Sequence, residues 1–92
     1  MADEALIQCD CCDYFTISEG QSYEICPVCF WEQDFCGITE PNEPSGPNHG
    51  LTLFQGRKNF GEFGACEKRF ISEVITDTER KKYHHAARNL KF

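Results

Sequence analysis

The sequence predicts a small α+β fold in which a cysteine-rich β-hairpin module is followed by two helices and a short strand. Two C-x2-C pairs, strand-like segments between them and two helix-capping boxes lead to this prediction. The chain has 92 residues, which suits one domain. We divide this single domain, 1–92, into a cysteine-rich ribbon (about 8–40), a Pro/Gly loop (41–50) and a helical region (51–92).

The cysteines carry the strongest signal. The chain has seven, an odd number that fits poorly with a fully paired disulfide framework. Two residues separate the members of each C-x2-C pair, so one tight turn can direct both sulfurs at the same ion. Tetrahedral coordination by four sulfurs favours Zn²⁺. We therefore predict one zinc ion per chain, bound by Cys9, Cys12, Cys26 and Cys29.

The segment between the two pairs is long enough for a hairpin. Tyr14–Ile17 is rich in aromatic and β-branched residues, Ser18–Ser22 carries turn signals, and Tyr23–Ile25 resumes strand character. We expect these two strands to pair with each other and to bring the four sulfurs together in a zinc-ribbon-like module.

Three further cysteines leave the ligand set open. Cys11 adjoins Cys12, but pairing it with Cys9 would leave one residue between ligands, a poorer turn, so we expect a spare thiol. Cys36 follows the second pair and is an alternative ligand. We expect both Cys36 and Cys66 to be core residues.

Other chemistries remain alternatives to zinc. A single iron also suits four thiolates, but iron knuckles of the rubredoxin type usually place glycine after the second cysteine, where this chain has Asp13 and Phe30. The four cysteines could also be core residues with no metal. We expect Phe30 and Trp31 to cover the metal.

The second half of the chain predicts two helices. Thr52 and Gln55 form a capping box, which starts a helix that Gly64 can end, although Gly61 could end it earlier. Its apolar face is expected to pack on the ribbon and comprises Leu53, Phe60 and Phe63. A strand over Phe70–Ile75 and a helix over Asp77–Leu90 follow. The second helix would direct inward Tyr83, Ala86, Ala87 and Leu90.

Charge is unevenly distributed along the chain. Residues 1–56 contain no Lys or Arg, whereas residues 57–92 contain all nine basic residues and five acidic ones. The net charge is −6, and the cysteine-rich half offers no positive face for phosphate. We do not expect nucleic-acid binding. No apolar run of about 20 residues and no signal-peptide pattern is present, so we expect no membrane association and a cytoplasmic location.

Several segments resemble the cysteine-rich CPCC family of small bacterial proteins over about residues 8–66. The resemblance rests on Cys9–Cys12, Tyr23–Glu32, Gly46–Asn48, Leu51–Leu53, Asn59–Phe60 and Phe63–Ala65. Asp10 replaces the proline of the family's name motif, which removes a rigid turn residue. The resemblance implies a zinc-ribbon-like module and brings no established enzymatic activity.

These features together predict a non-enzymatic zinc-binding structural module that acts through contacts with a protein partner that no residue identifies. Four protein thiolates leave no open position on the metal for water, so the site is not expected to hydrolyse a substrate. The alternative is a thiol-redox or metal-responsive protein that uses Cys11 with a nearby cysteine.

Overall fold

The computed structural model describes residues 6–18, 24–34 and 39–88, and structural statements below refer to these. It confirms a small α+β fold, with a two-stranded antiparallel hairpin followed by helices. The elements in chain order are β1 (Leu6–Gln8), β2 (Phe15–Ser18), α1 (Leu53–Phe63), a 3₁₀ turn (Lys68–Phe70) and α2 (Asp77–Arg80). No helix in these ranges is long and apolar enough to cross a membrane.

Within the described residues, the hairpin is built around the first cysteine pair. β2 pairs with β1, with Ile7 opposite Ile17 and a register irregularity between Ile7 and Gln8. The expected pairing of 14–17 with 23–25 is wrong where it can be observed, because Ile25 bridges Glu32 and Tyr14 bridges His85. Tyr23 lies outside the described residues. The first C-x2-C turn itself joins β1 to β2, and closing so short a loop costs less entropy than closing a longer one.

The second cysteine pair sits in a tight turn of its own. Ile25 forms an isolated antiparallel bridge with Glu32, on the other side of the turn. Each cysteine pair thus lies at the tip of a separate hairpin-like loop, and the two tips meet in the core.

Sulfur-bearing residues make up much of the core. Its buried members are Cys9, Cys11, Cys12, Ile17, Cys26, Val28, Cys29, Trp31, Leu53 and Cys66. Trp31 is 1% exposed and is the largest of the fully buried side chains. So few large apolar side chains give a weak hydrophobic core, and a chain of this size needs a further source of stability.

Helix α1 begins and ends where the sequence predicts. Thr52 accepts a hydrogen bond from the Gln55 N–H, and the Gln55 side chain accepts one from the Thr52 N–H. Gly64 ends the helix with φ of 83°, in the left-handed region. A Cβ on Gly56 would lie 3.0 Å from two atoms of the Trp31 ring, so α1 packs on the ribbon through backbone at this glycine.

The predicted strand over Phe70–Ile75 is wrong. This segment continues from the 3₁₀ turn into further turns. The Phe70 ring packs 4.7 Å from the ring of Phe30, and the Ile75 N–H donates to the Pro27 carbonyl. These contacts with the second cysteine turn provide the packing that a neighbouring strand would otherwise supply.

The second helix is much shorter than predicted. Its capping box, Thr76 with Glu79, is present, but α2 ends at Arg80. The chain then turns over residues 81–83 and passes beside β2, where the Phe15 N–H donates to the His84 carbonyl and Tyr14 forms an isolated antiparallel bridge with His85. Tertiary hydrogen bonds to an open strand edge thus replace the helical ones. Tyr83 is half-buried and Ala86 and Ala87 are exposed, whereas Leu90 lies outside the described residues.

Candidate metal centre

The two cysteine turns have the same backbone geometry. In each turn the first cysteine donates its N–H to the carbonyl five residues later, and the N–H four residues later donates back to its carbonyl. These bonds measure 2.8 and 3.1 Å at Cys9, and 2.9 and 2.8 Å at Cys26. Two turns with matching hydrogen bonds present their sulfurs in matching ways, as a shared tetrahedral ion requires.

The residue after each second cysteine takes the left-handed conformation without being glycine. Asp13 has φ of 69° and Phe30 has φ of 70°. A side chain there costs on the order of 1–2 kcal/mol in conformational energy. The sequence therefore lacks the glycine that is usual in such turns, although the backbone has the same shape. The contacts made by the Asp13 and Phe30 side chains must offset the strain.

The four predicted ligand sulfurs lie together in the core. All four Sγ atoms are within 4.8 Å of one another, and all four cysteines are buried. Cys9 and Cys29 have Sγ atoms 3.6 Å apart, and Cys12 and Cys26 have Sγ atoms 3.7 Å apart. A tetrahedral ion with metal–sulfur bonds of 2.3 Å has sulfur–sulfur edges of about 3.8 Å. The quartet therefore has the size of a tetrahedral metal site.

Hydrogen-bond donors surround the quartet. Three backbone N–H groups approach ligand sulfurs at 3.3–3.4 Å: Cys11 to Cys9, Val28 to Cys26 and Trp31 to Cys29. The Thr16 hydroxyl donates to the Cys26 sulfur at 3.0 Å. Such donors stabilise sulfur in its thiolate form and hold it in one orientation.

The pKa values of the quartet diverge because the thiols are crowded and buried. Hydrogen bonds from Cys12, Cys29 and Cys9 lower the pKa of the Cys26 thiol, and the Thr16 hydroxyl adds to this effect. Hydrogen bonds with Cys26 and Cys29 raise the pKa of the Cys12 thiol, and burial raises the pKa of the Cys29 thiol. Four buried thiolates this close repel one another strongly, so a cation is needed to hold all four ionised.

Asp13 is a buried carboxylate held by two arginines. Arg57 donates two hydrogen bonds to it, of 2.8 and 3.0 Å, and Arg88 donates from Nε at 2.8 Å and from its backbone N–H at 2.9 Å. Burial by itself raises the pKa of the Asp13 carboxyl, but the hydrogen bonds from Arg57 and Arg88 outweigh burial and lower this pKa overall. Asp13 is therefore ionised in the folded protein at neutral pH.

The same two arginines also bind the backbone of the first cysteine turn. Arg57 donates to the Asp10 carbonyl at 2.6 Å, and Arg88 donates to the Cys9 carbonyl at 2.8 Å. The two guanidinium groups therefore lie beside the first cysteine turn, where they interact with the carboxylates of Asp13 and Asp10. Sequence reasoning missed this arrangement because its three residues are far apart in the chain and follow no motif.

Asp10, which replaces the family's proline, uses the N–H that proline lacks. This N–H donates to the Gln33 side-chain oxygen at 3.3 Å, and the Gln33 amide reaches the Asp10 carboxylate at 3.5 Å. A contact between the two cysteine turns thus takes the place of the rigid proline ring.

The remaining cysteines lie outside the quartet or outside the described residues. Cys11 is 2% exposed, and its sulfur lies 3.4 Å from the position of a Cβ on Gly56, beneath α1. Cys66 is buried, and its N–H donates to the Cys29 carbonyl at 2.8 Å. Burial raises the pKa of the Cys66 thiol. Cys36 lies outside the described residues.

Comparison with known proteins agrees with the resemblance seen in the sequence. The family model described as Cysteine-rich CPCC matches residues 7–81. The match extends well beyond residue 66, where the quoted resemblance ended, and so includes the 3₁₀ turn and α2. Comparison with curated proteins and with solved structures finds no match.

Proposed function

Since the chain belongs to the cysteine-rich CPCC family, we propose that it is a non-enzymatic zinc-binding structural module that acts through contacts with another protein. The observation that carries the proposal is the buried quartet of sulfurs, with edges of 3.6 and 3.7 Å. Cys9, Cys12, Cys26 and Cys29 would hold one Zn²⁺.

Zinc suits this donor set better than hard ions such as Mg²⁺ or Ca²⁺. Four thiolates in a tetrahedron favour Zn²⁺ or iron over harder ions, which prefer oxygen ligands. A closed site with four protein ligands supplies stability and leaves no position at which water or substrate binds the metal. We therefore assign the ion a structural role.

The core supports a structural role as well. Structural zinc sites contribute about 10–16 kcal/mol of apparent binding energy, whereas a small domain has a total stability of about 5–15 kcal/mol. A chain whose buried core consists largely of cysteines gains most of its stability from the ion. We place this module in the cytoplasm, where thiols remain reduced.

Thiol-redox chemistry at Cys11 has less structural support. A redox thiol needs access to its oxidant, but Cys11 lies beneath α1 and is 2% exposed. Metal-responsive behaviour that uses this thiol would likewise require α1 to move.

Metal analysis of the untagged protein under reducing conditions tests the proposal. We expect about one zinc per chain in the native mass spectrum, and Cys26→Ser to lose it. Cys66→Ser is the matched control, because Cys66 is equally buried but outside the quartet, so it should retain zinc. Ordered protein with no metal after complete chelation would contradict the proposal. Visible absorption from bound iron would show that the ion is iron and not zinc.

A further inference from the structure

The two cysteine turns differ at one hydrogen bond. In the second turn, the Trp31 N–H donates to the sulfur of Cys29, two residues before it, at 3.4 Å. The equivalent sulfur in the first turn belongs to Cys12. Within the described residues, this sulfur receives no hydrogen bond from an N–H or hydroxyl group, and the Cys26 sulfur lies 3.7 Å from it. The matching backbone therefore leaves one of the four ligand sulfurs without such a donor.

The Cys9 and Cys26 sulfurs do have donors. The Cys9 sulfur accepts from the N–H two residues later, at 3.4 Å. The Cys26 sulfur accepts from the Val28 N–H at 3.3 Å and from the Thr16 hydroxyl at 3.0 Å. A hydrogen-bond donor stabilises a thiolate, so a thiolate without one is more basic and a stronger nucleophile. Among the four ligands this thiolate is Cys12.

Cys12 is also the ligand with access to solvent. It is 4% exposed, whereas the other three ligands are 0% exposed. A bound divalent ion holds Cys12 as a thiolate, which is the form of cysteine that reacts with electrophiles. The adjacent Cys11 lies beneath α1 and outside the quartet. The strongest nucleophile and the contact with solvent therefore coincide at one sulfur.

We propose that Cys12 is a peroxide-reactive ligand whose oxidation releases the ion. This inference rests on the proposed function, because the bound ion keeps the sulfurs ionised, and it adds regulation to the same site. The Cys12 thiolate attacks one oxygen of hydrogen peroxide: a sulfur–oxygen bond forms, the oxygen–oxygen bond breaks and hydroxide leaves. The sulfur gives two electrons to the peroxide and becomes a sulfenic acid.

The neighbouring Cys26 sulfur completes the reaction. It lies 3.7 Å from the Cys12 sulfur and, as a thiolate, displaces hydroxide from the sulfenic acid to form a disulfide. One disulfide and two hydroxide ions are the products, so one peroxide is sufficient. Cys9 and Cys29 are too few ligands for a closed tetrahedral site, so the ion leaves. A thiol reductant restores the four ligands.

Trapping of the first oxidised sulfur tests the proposal. Zinc-loaded protein in reductant-free buffer is treated with one equivalent of hydrogen peroxide and an excess of dimedone, which captures sulfenic acid. Fragment-ion mass spectrometry locates the adduct and distinguishes Cys12 from Cys11. We expect at least tenfold more adduct on Cys12 than on any other ligand at early times. Without dimedone, a chromogenic chelator should detect zinc release in step with a disulfide between Cys12 and Cys26.

A pair of variants tests the role of the donors. Thr16→Val removes the hydroxyl donor of Cys26 at nearly constant volume, so Cys26 should gain adduct several-fold relative to the wild type. Thr78→Val, at an exposed position in α2, should leave the distribution of adducts unchanged. If Thr16→Val does not bind zinc, the wild-type distribution decides by itself.

Measured zinc content separates the possible failures. If the wild type binds no zinc, both the proposed function and this inference are wrong. Zinc-loaded protein that resists peroxide, or that is oxidised first at another cysteine, would refute this inference alone. Zinc-loaded Thr16→Val with the wild-type distribution of adducts would also overturn it, because the donors would not determine the order of reaction.

Discussion

At the scale of single residues, Asp13 combines two roles that the sequence does not connect. Its backbone has the left-handed conformation that ends the first cysteine turn, and its carboxylate joins Arg57 and Arg88 to that turn. Asparagine tolerates the same backbone conformation but carries no charge. The two roles can therefore be separated by one substitution.

We expect Asp13→Asn to lower the free energy of unfolding of the zinc-loaded protein by about 3 kcal/mol, since it leaves two partly buried arginines without their counter-ion. Chemical denaturation under reducing conditions measures this change. Glu62→Gln removes an exposed carboxylate and should change stability by less than about 0.5 kcal/mol. If the two variants are equally stable, the arginine contacts contribute little.

The Asp13 contribution depends on pH. Because its pKa is lower in the folded protein than in the unfolded chain, its stabilising effect is present above the unfolded value of about 4 and is lost as pH falls through the folded value. Acid also protonates the thiols, so the quantity to measure is the stability difference between the wild type and Asp13→Asn. We expect this difference to be constant from pH 5 to 7 and to narrow below about pH 4. A difference that persists unchanged at low pH would contradict an ionised Asp13.

At the scale of elements, α1 is positioned by a close approach to the ribbon. The helix interior contains Gly56 and Gly61, which ordinary helix propensity treats alike. Their surroundings differ: a Cβ on Gly56 meets the Trp31 ring at 3.0 Å, and a Cβ on Gly61 meets nothing within 4 Å. This pair of glycines distinguishes packing from propensity.

We expect Gly56→Ala to destabilise the protein by about 1–3 kcal/mol, because the methyl group forces Trp31 or the helix to move. Gly61→Ala should instead stabilise it by about 0.5–1 kcal/mol through better helix propensity. Thermal unfolding of the two variants beside the wild type measures both effects. If both substitutions stabilise the protein by the same amount, α1 does not lie against the Trp31 ring.

At the scale of the whole molecule, folding and metal binding are expected to be one process. The described parts of the chain contain two short strands, two helices and a core rich in cysteine. The two cysteine turns meet at the quartet of sulfurs. The Asp13 cluster, which comprises Asp13, Arg57 and Arg88, joins the first of these turns to α1 and to the segment after α2. Loss of the ion would therefore disturb contacts throughout the molecule.

We expect a strong zinc chelator to unfold the protein under reducing conditions and added zinc to refold it. Trp31, which is almost fully buried, should report this change as a red shift in fluorescence when water reaches the ring. NMR signal dispersion should be lost and regained in parallel. If the Trp31 fluorescence shows no red shift after metal removal, the apolar core is sufficient to keep the protein folded without the ion.

Features that depend on neighbours along the chain were predictable. The α+β class, the two capping boxes and the αL end at Gly64 follow from short motifs, and the spacing of the cysteines led to the four sulfurs that meet in the core. Identification of these four as metal ligands remains a prediction. Each such feature depends on local backbone geometry, which a few adjacent residues specify.

Other features depend on partners that only the folded chain brings together. β2 pairs with β1 because the first cysteine turn closes that hairpin locally, and α2 stops at Arg80 because the following residues gain hydrogen bonds beside β2. The Asp13 cluster and the close contact of Gly56 with Trp31 join residues at least 25 positions apart. Tertiary packing decided these features, because the free energy of a long-range contact depends on which surfaces meet and not on the local sequence.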